Sequence, residues 1–169
     1  MSTLLLDASV ILAAFDSGDS HHAPAAALLG DDSVTVATLD LARYEVANVA
    51  IRAWRAPDAV ATLIFALDRI ADDGGVIVST GTLLTRAADL AERHGISVYD
   101  AAYVAAVGEG DRRLVSCDER DLVSKELAVL PETEAIWARV NPAPEGEGMA
   151  LADAELHAMR KERRGPGRP

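Results

Sequence analysis

Four acids widely spaced along the chain, Asp7, Glu45, Asp100 and Asp118, are the residues whose type and setting could do chemistry. Singly each has an ordinary role. Asp7 and Asp100 fit helix caps, Glu45 fits a solvated helix position, and Asp118 fits a turn. Their settings point further. Asp7 ends the apolar run "TLLLD" and Asp118 ends "RRLVSCD", so two acids fall at the carboxyl ends of expected strands. Glu45 stands between Tyr44 and the apolar Val46 and Ala47, with Leu41 and Val49 one turn away, near the edge of a buried stripe. Tyr99, Ala102, Tyr103 and Ala106 recur at i, i+3, i+4, i+7 and predict one buried helix face with Asp100 at its head. Converging carboxylates without a counter-charge repel, and their pKa values rise. A divalent cation removes that conflict. Oxygen donors without a His or Cys set favour a hard ion, Mg²⁺ or Mn²⁺.

The elements that must position these acids alternate in type. Strands are expected at Thr3–Asp7, Ser33–Ala37, Val76–Ser79 and Arg112–Asp118, with an edge strand near Ala128–Leu130. Between them lie helical patterns: "ASVILAAF", "APAAALLG" closed by Gly30, "TLDLARYEVANVAIRAW" capped by Thr38 or Asp40, Pro57–Ile70, and Thr82–His94. Apolar strands alternating with helices imply an α/β fold, a parallel sheet of four to five strands with helices on both faces. Ligand sites in such folds form beyond the carboxyl ends of the strands. A main domain is expected over 1–140. Residues 141–169 read as the linker "NPAPEGEG", a possible short helix "MALADAELHAMRKERR", and a basic tail that is disordered or folds on a partner.

The strings "LLLDASVILAAF", "YEVANV", "GISVYDAAYVAA" and "LVSCDERDL" carry a likeness in order and spacing. Over about Thr3 to Val140 the chain resembles the PIN-domain nucleases, and within them the VapC-like ribonuclease toxins of type II toxin–antitoxin modules. "YDAAYVA" is the most specific string. The resemblance implies an α/β/α sandwich with an acidic pocket holding Mg²⁺ or Mn²⁺, built from Asp7, Glu45, Asp100 and Asp118. It adds Asp121 as a further acid, its division of roles with Asp118 open, and Ser9 as a supporting polar residue. The implied chemistry is hydrolysis of an RNA phosphodiester by a metal-activated water, with a second ion ~4 Å away if present. Asp7 and Asp100 would be core ligands; Glu45 and Asp118 would complete the shell directly or through water. Arg43, Arg52 and Arg86, with Arg55 and Arg93 nearby, become candidates for the substrate backbone. The implied partners are RNA, a small antitoxin that blocks the pocket, and a second copy in a homodimer.

Composition bounds these expectations. The net charge is −11. Residues 141–169 hold five basic and five acidic side chains, leaving 11 basic against 22 acidic in the body. Such a body argues against tight non-specific binding to phosphates, though bound cations and a local arginine patch can invert the field at one site. No stretch approaches the ~20 apolar residues of a membrane span, and the opening "MSTLLLDASV" lacks a signal-peptide pattern. A cytoplasmic protein is expected. Cys117 is the only cysteine. His21, His22, His94 and His157 form no metal-spaced set, and "HH" reads as an exposed turn. Trp54 and Trp137 read as packing or subunit-contact residues. A non-catalytic binding protein, its acids structural, is the competing function. A dehalogenase-like phosphatase needs an acid where Ser9 stands, and a receiver domain needs a lysine better placed than Lys125.

Overall fold

The computed structural model describes residues 3–73, 75–108, 112–133 and 136. Residues 1–133 form one compact unit and 134–169 a second. Apart from Ile136, the sequence expectations for 134–140, Trp137, His157 and 141–169 lie outside the described residues.

Four short strands form the sheet: β1 (Thr3–Leu6), β2 (Val36–Leu39), β3 (Val76–Ile77) and β4 (Arg112–Val115). Their order is β3-β2-β1-β4, and every pairing is parallel. Val129 adds a parallel bridge to Val115 at the β4 edge, where the sequence suggests a fifth strand. Parallel strands need crossovers. These are supplied by α1 (Ala8–Phe15) and α2 (His22–Gly30), then α3 (Ala42–Arg52) and α4 (Ala59–Asp72), then α5 (Gly81–His94) and α6 (Val98–Val107). A π-type turn, Glu119–Val123, follows β4. This is the α/β architecture that the alternating pattern predicts.

The small aliphatic composition decides the packing. One core joins Leu5, Leu39 and Leu114 to the alanines of α5 and α6 around the fully buried Tyr103. The other joins Ala8 and Ile11 of α1 to Ala42, Val46 and Ala50 of α3 and Leu63, Leu67 and Ile70 of α4, with Trp54 packed against it. Helices thus cover the strands from both sides, as a parallel sheet requires.

The strand order sets the site. From β1 the chain runs to β2 and β3 on one side and then crosses to β4 on the other. The order reverses between β1 and β4, and the crevice beyond their carboxyl ends is where such sheets bind ligands. Leu6 pairs with Val115 there, and the Asp7 amide donates to the Val115 carbonyl at 3.0 Å.

Several local expectations are corrected. The second strand starts at Val36, not Ser33, and takes in Thr38, so neither Thr38 nor Asp40 caps α3. Thr38 is buried in the strand and its hydroxyl donates to the Leu6 carbonyl at 2.8 Å, satisfying a polar group inside the sheet. Asp40 accepts from the Ser79 amide at 3.1 Å and from its hydroxyl. The fourth strand ends at Val115, three residues before Asp118, which places Cys117 beyond the strand. The third ends at Ile77. Ser97, not Asp100, caps α6. Tyr99 breaks the periodic face at 62% exposure, while Ala102, Tyr103 and Ala106 are buried. His21 is buried, with Nδ1 3.0 Å from Glu132 Oε1 and Nε2 3.2 Å from Glu119 Oε1. Two carboxylates draw it in from the turn where exposure is expected.

Gly75 sits where the chain enters β3. Its amide donates to the Ile70 carbonyl at 3.0 Å and its carbonyl accepts from Thr38 at 2.7 Å. A Cβ there would lie 2.4 Å from the Val36 carbonyl oxygen and 2.9 Å from that of Ile70. Backbone cannot yield cheaply to such overlap, so Gly75→Ala is expected to destabilise the fold by more than about 2 kcal/mol in denaturant titration. Gly81→Ala, with nothing within 4 Å of the added Cβ, is expected to be neutral or mildly stabilising.

Candidate functional site

Asp7 leaves β1 at the strand's carboxyl end and occupies the N-cap position of α1, yet its side chain makes no capping bond. It is 6% exposed. Its Oδ2 accepts from the Ser9 hydroxyl and from the Ser116 hydroxyl, the latter at 2.7 Å. Each hydroxyl is oriented by the loop after β4: Ser9 Oγ accepts from the Cys117 amide and Ser116 Oγ from the Asp118 amide, both at 3.0 Å. Both hydrogen bonds donate toward the ionised carboxyl. Burial still wins and raises the Asp7 pKa, with the charge of Asp100 adding to the effect.

Glu45 projects from the first turn of α3 and Asp100 from the first turn of α6. The Tyr103 phenol donates to Glu45 Oε2 at 2.6 Å. Burial and the nearby carboxylates push the Tyr103 pKa up and keep that proton in place. Glu45 itself is raised to about 7, first by burial and then by the charges of Asp7 and Asp100, against the opposing Tyr103 bond. Asp100 Oδ2 accepts from the Ser97 hydroxyl at 2.7 Å while the Asp100 amide donates back to Ser97 Oγ at 3.1 Å. This is the reciprocal pattern of a capping box. Asp7, Glu45 and Asp100 therefore share one electrostatic neighbourhood. Each commits one oxygen to a hydroxyl or phenol; the second oxygen of each has no side-chain hydrogen-bond partner among the described residues.

Asp118 stands at this edge through Ser116 but is turned to another task. It caps the π-type turn, its Oδ1 accepting from the Asp121 amide at 2.9 Å. Asp121 is held below the usual carboxylate range by Arg120, whose guanidinium donates to Oδ2 at 2.9 and 2.6 Å. Arg120 is exposed and also feels the charges of Asp118 and Asp100. It is thus a cation at the rim of the acidic neighbourhood. Arg120 is masked in the sequence by the three acids around it in "CDERDL", and the only sequence signal for Ser116 is a serine two places before Asp118.

Of the arginines read as candidates, Arg43 donates to Asp68 on α4 at 2.6 Å. Arg52 is exposed at the far end of α3, about 10 Å along the axis from Glu45. Arg86 is exposed on α5. Burial pushes the Cys117 thiol up to about 12, with nearby carboxylates adding, so it is held protonated and unreactive.

The donor set is all oxygen, and the residues suit a hard cation by charge and by their uncommitted oxygens. Among the described residues, however, no three His, Cys, Asp or Glu side chains stand together in a group that could hold a metal ion.

The PIN domain family model matches residues 4–127. The chain belongs to the PIN-domain family. Membership carries a nuclease-type function, since PIN domains are generally metal-dependent nucleases acting on RNA. The structure of this PIN domain is similar to the crystal structure of PAE2754 from Pyrobaculum aerophilum, with a TM-score of 0.58 at 20% identity over 83% of this chain and 90% of that one. That likeness bears on the fold alone. No curated protein matches the PIN chain. None of its described helices is long and apolar enough to cross a membrane.

The raised pKa of Glu45 has a thermodynamic consequence. Between its ordinary value of 4.5 and about 7 the folded PIN domain holds a proton there that the unfolded chain releases. Stability from this group is therefore present below pH 4.5 and is lost as pH rises through about 7. In chelator, thermal melts of wild type are expected to lose stability relative to Glu45→Gln across that window. A constant difference would contradict the assignment.

Proposed function

We propose that this PIN domain is a Mg²⁺- or Mn²⁺-dependent endoribonuclease acting as the toxin of a toxin–antitoxin pair. One observation supports this most: the charges of Asp7 and Asp100 act on Glu45, and that of Asp100 on Asp7, near the carboxyl ends of the strands, and each of the three has an oxygen without a side-chain hydrogen-bond partner among the described residues. In this reading Asp7 and Asp100 hold the cation directly. Glu45 and Asp118 complete the site directly or through water, and Asp121 contributes as a further acid. When bound, the cation supplies charge neutralisation and Lewis-acid activation of water for phosphodiester hydrolysis. The chain's own groups do the rest. Ser9 and Ser116 orient Asp7, Tyr103 orients Glu45, and Ser97 orients Asp100. Arg120, whose Nε and Nη2 serve Asp121, can offer a phosphate only its remaining N–H donors, and Arg52 and Arg86 remain available for the substrate backbone farther out. Arg43 can join them only by leaving Asp68.

The same uncompensated acidity suits inhibition by a small antitoxin that places a basic side chain in the pocket, with the toxin acting in the cytoplasm as a homodimer. A non-catalytic PIN-like binding protein is the second reading. It is favoured by the absence of such a metal-holding group among the described residues.

The two readings separate in one assay. Protein freed of any partner is incubated with structured RNAs in Mg²⁺, in Mn²⁺ and in chelator. Cleavage is expected only with cation, reduced more than about 100-fold in Asp7→Asn and Asp100→Asn and about 10- to 100-fold in Ser116→Ala, which removes support from a ligand rather than a ligand. Expression of wild type, but not of Asp7→Asn, is expected to arrest growth. Full cleavage in chelator, or by both Asn variants, rules out the metal mechanism; no cleavage together with no metal binding supports the binding-protein reading.

A further inference from the structure

The net charge of −11 and the acidic neighbourhood raise the question of what holds RNA. Contacts to phosphate drive most nucleic-acid binding, but they need a basic surface. A cavity of about 240 Å³ opens between the start of α3 and the α5–α6 pair. Its lining includes Tyr44 and Tyr99, the apolar Leu84 and Val98, and at one side Asp40 and Ser79. Tyr44 is 77% exposed and Tyr99 62%. Large aromatic rings left in water beside a cavity, against the helix's own periodicity in the case of Tyr99, mark a surface kept for binding. Tyr44 directly precedes Glu45, and Tyr99 directly precedes Asp100.

We propose that this cavity is a nucleobase subsite in which Tyr44 and Tyr99 offer stacking faces to an unpaired RNA base beside the acid cluster. The proposal rests on the nuclease reading and gives it a source of affinity. The volume is below the about 300–1,000 Å³ of drug-sized ligand sites and suits one planar ring system. Stacking on tyrosine is indifferent to phosphate charge and operates where the surrounding field is negative. Asp40 adds selectivity. Its Oδ1 is committed to Ser79, while Oδ2 has no hydrogen-bond partner among the described residues. That oxygen accepts from an amino group such as cytosine N4. Adenine, cytosine and guanine bring an exocyclic amino donor to that oxygen in addition to their stacking faces, whereas uracil brings only its ring N3–H, so the subsite favours the amino-bearing bases.

The test is binding of fluorescent eight-residue oligo(A), oligo(C) and oligo(U) to the full chain in chelator, read by anisotropy from about 0.05 to about 0.5 M salt. Wild type is expected to bind oligo(A) and oligo(C) more tightly than oligo(U). Binding that persists or strengthens with salt is expected, opposite to phosphate-driven association. Tyr44→Ala and Tyr99→Ala are each expected to weaken it about tenfold, and the Phe variants to stay within about twofold of wild type. Cleavage plays no part in this readout. The subsite stands if this pattern holds even where cleavage assays fail, and then only the nuclease reading falls. Both Ala variants binding like wild type overturns the subsite, whether or not RNA is cleaved. If those variants instead lose self-association in sedimentation, the face is a contact between copies and the proposal is wrong.

Discussion

The burial of one carboxylate, Asp7, is the constraint on which the rest of the structure turns. It lies where β1 ends, 6% exposed, with Glu45 and Asp100 acting on it or feeling its charge. A carboxyl group so placed costs free energy whenever it ionises unless its surroundings are polar and oriented. The fold supplies that orientation. The parallel register of β1 and β4 sets the loop after β4 against the start of α1, and two loop amides orient the serines that donate to Asp7. The topology therefore holds an acid in place more than it neutralises it.

The neighbouring groups repeat the device. Tyr103 lies at the centre of one core and spends its phenol on Glu45. Ser97 serves both the end of α6 and the Asp100 carboxyl. Alanine-rich helices let α5 and α6 pack closely on the sheet, so the first turns of α3 and α6 reach its carboxyl edge. A network that fixes like charges side by side stores a conflict, and such conflicts concentrate where a protein binds or reacts. On the proposed reading a cation relieves it. The position of Asp121 differs in kind: Arg120 already compensates its charge, and Asp118 is partly occupied in shaping the turn.

Much of this was legible in the chain. Apolar strand runs alternating with helical periods gave the layered parallel fold, and acids closing two of those runs pointed to the sheet's carboxyl edge. Strand boundaries were less legible, because Ser33–Val34 and Cys117–Asp118 look like strand by composition but lack ladder partners. Thr38 looked like a cap because a short hydroxyl before a helix usually is one; here the hydroxyl is consumed by the Leu6 carbonyl. His21 looked exposed because no local pattern announces two carboxylates, Glu119 and Glu132, from distant segments. Ser116 escaped notice for the same reason, since its partner Asp7 is 109 residues away. Tyr99 fits a buried stripe by spacing, and only packing reveals that nothing covers it. Local spacing carries element type; which side chains meet across the switch point is set by topology, and that required the structure.

The central claim, that the fold gathers these acids for a hard dication, is tested most directly by titrating Mn²⁺ into the partner-free protein and following free Mn²⁺ by electron paramagnetic resonance. Saturable binding is expected in wild type, displaced by excess Mg²⁺, and weakened at least about tenfold in Asp7→Asn. Binding unchanged by that substitution, or no binding to the folded wild-type chain, would contradict it.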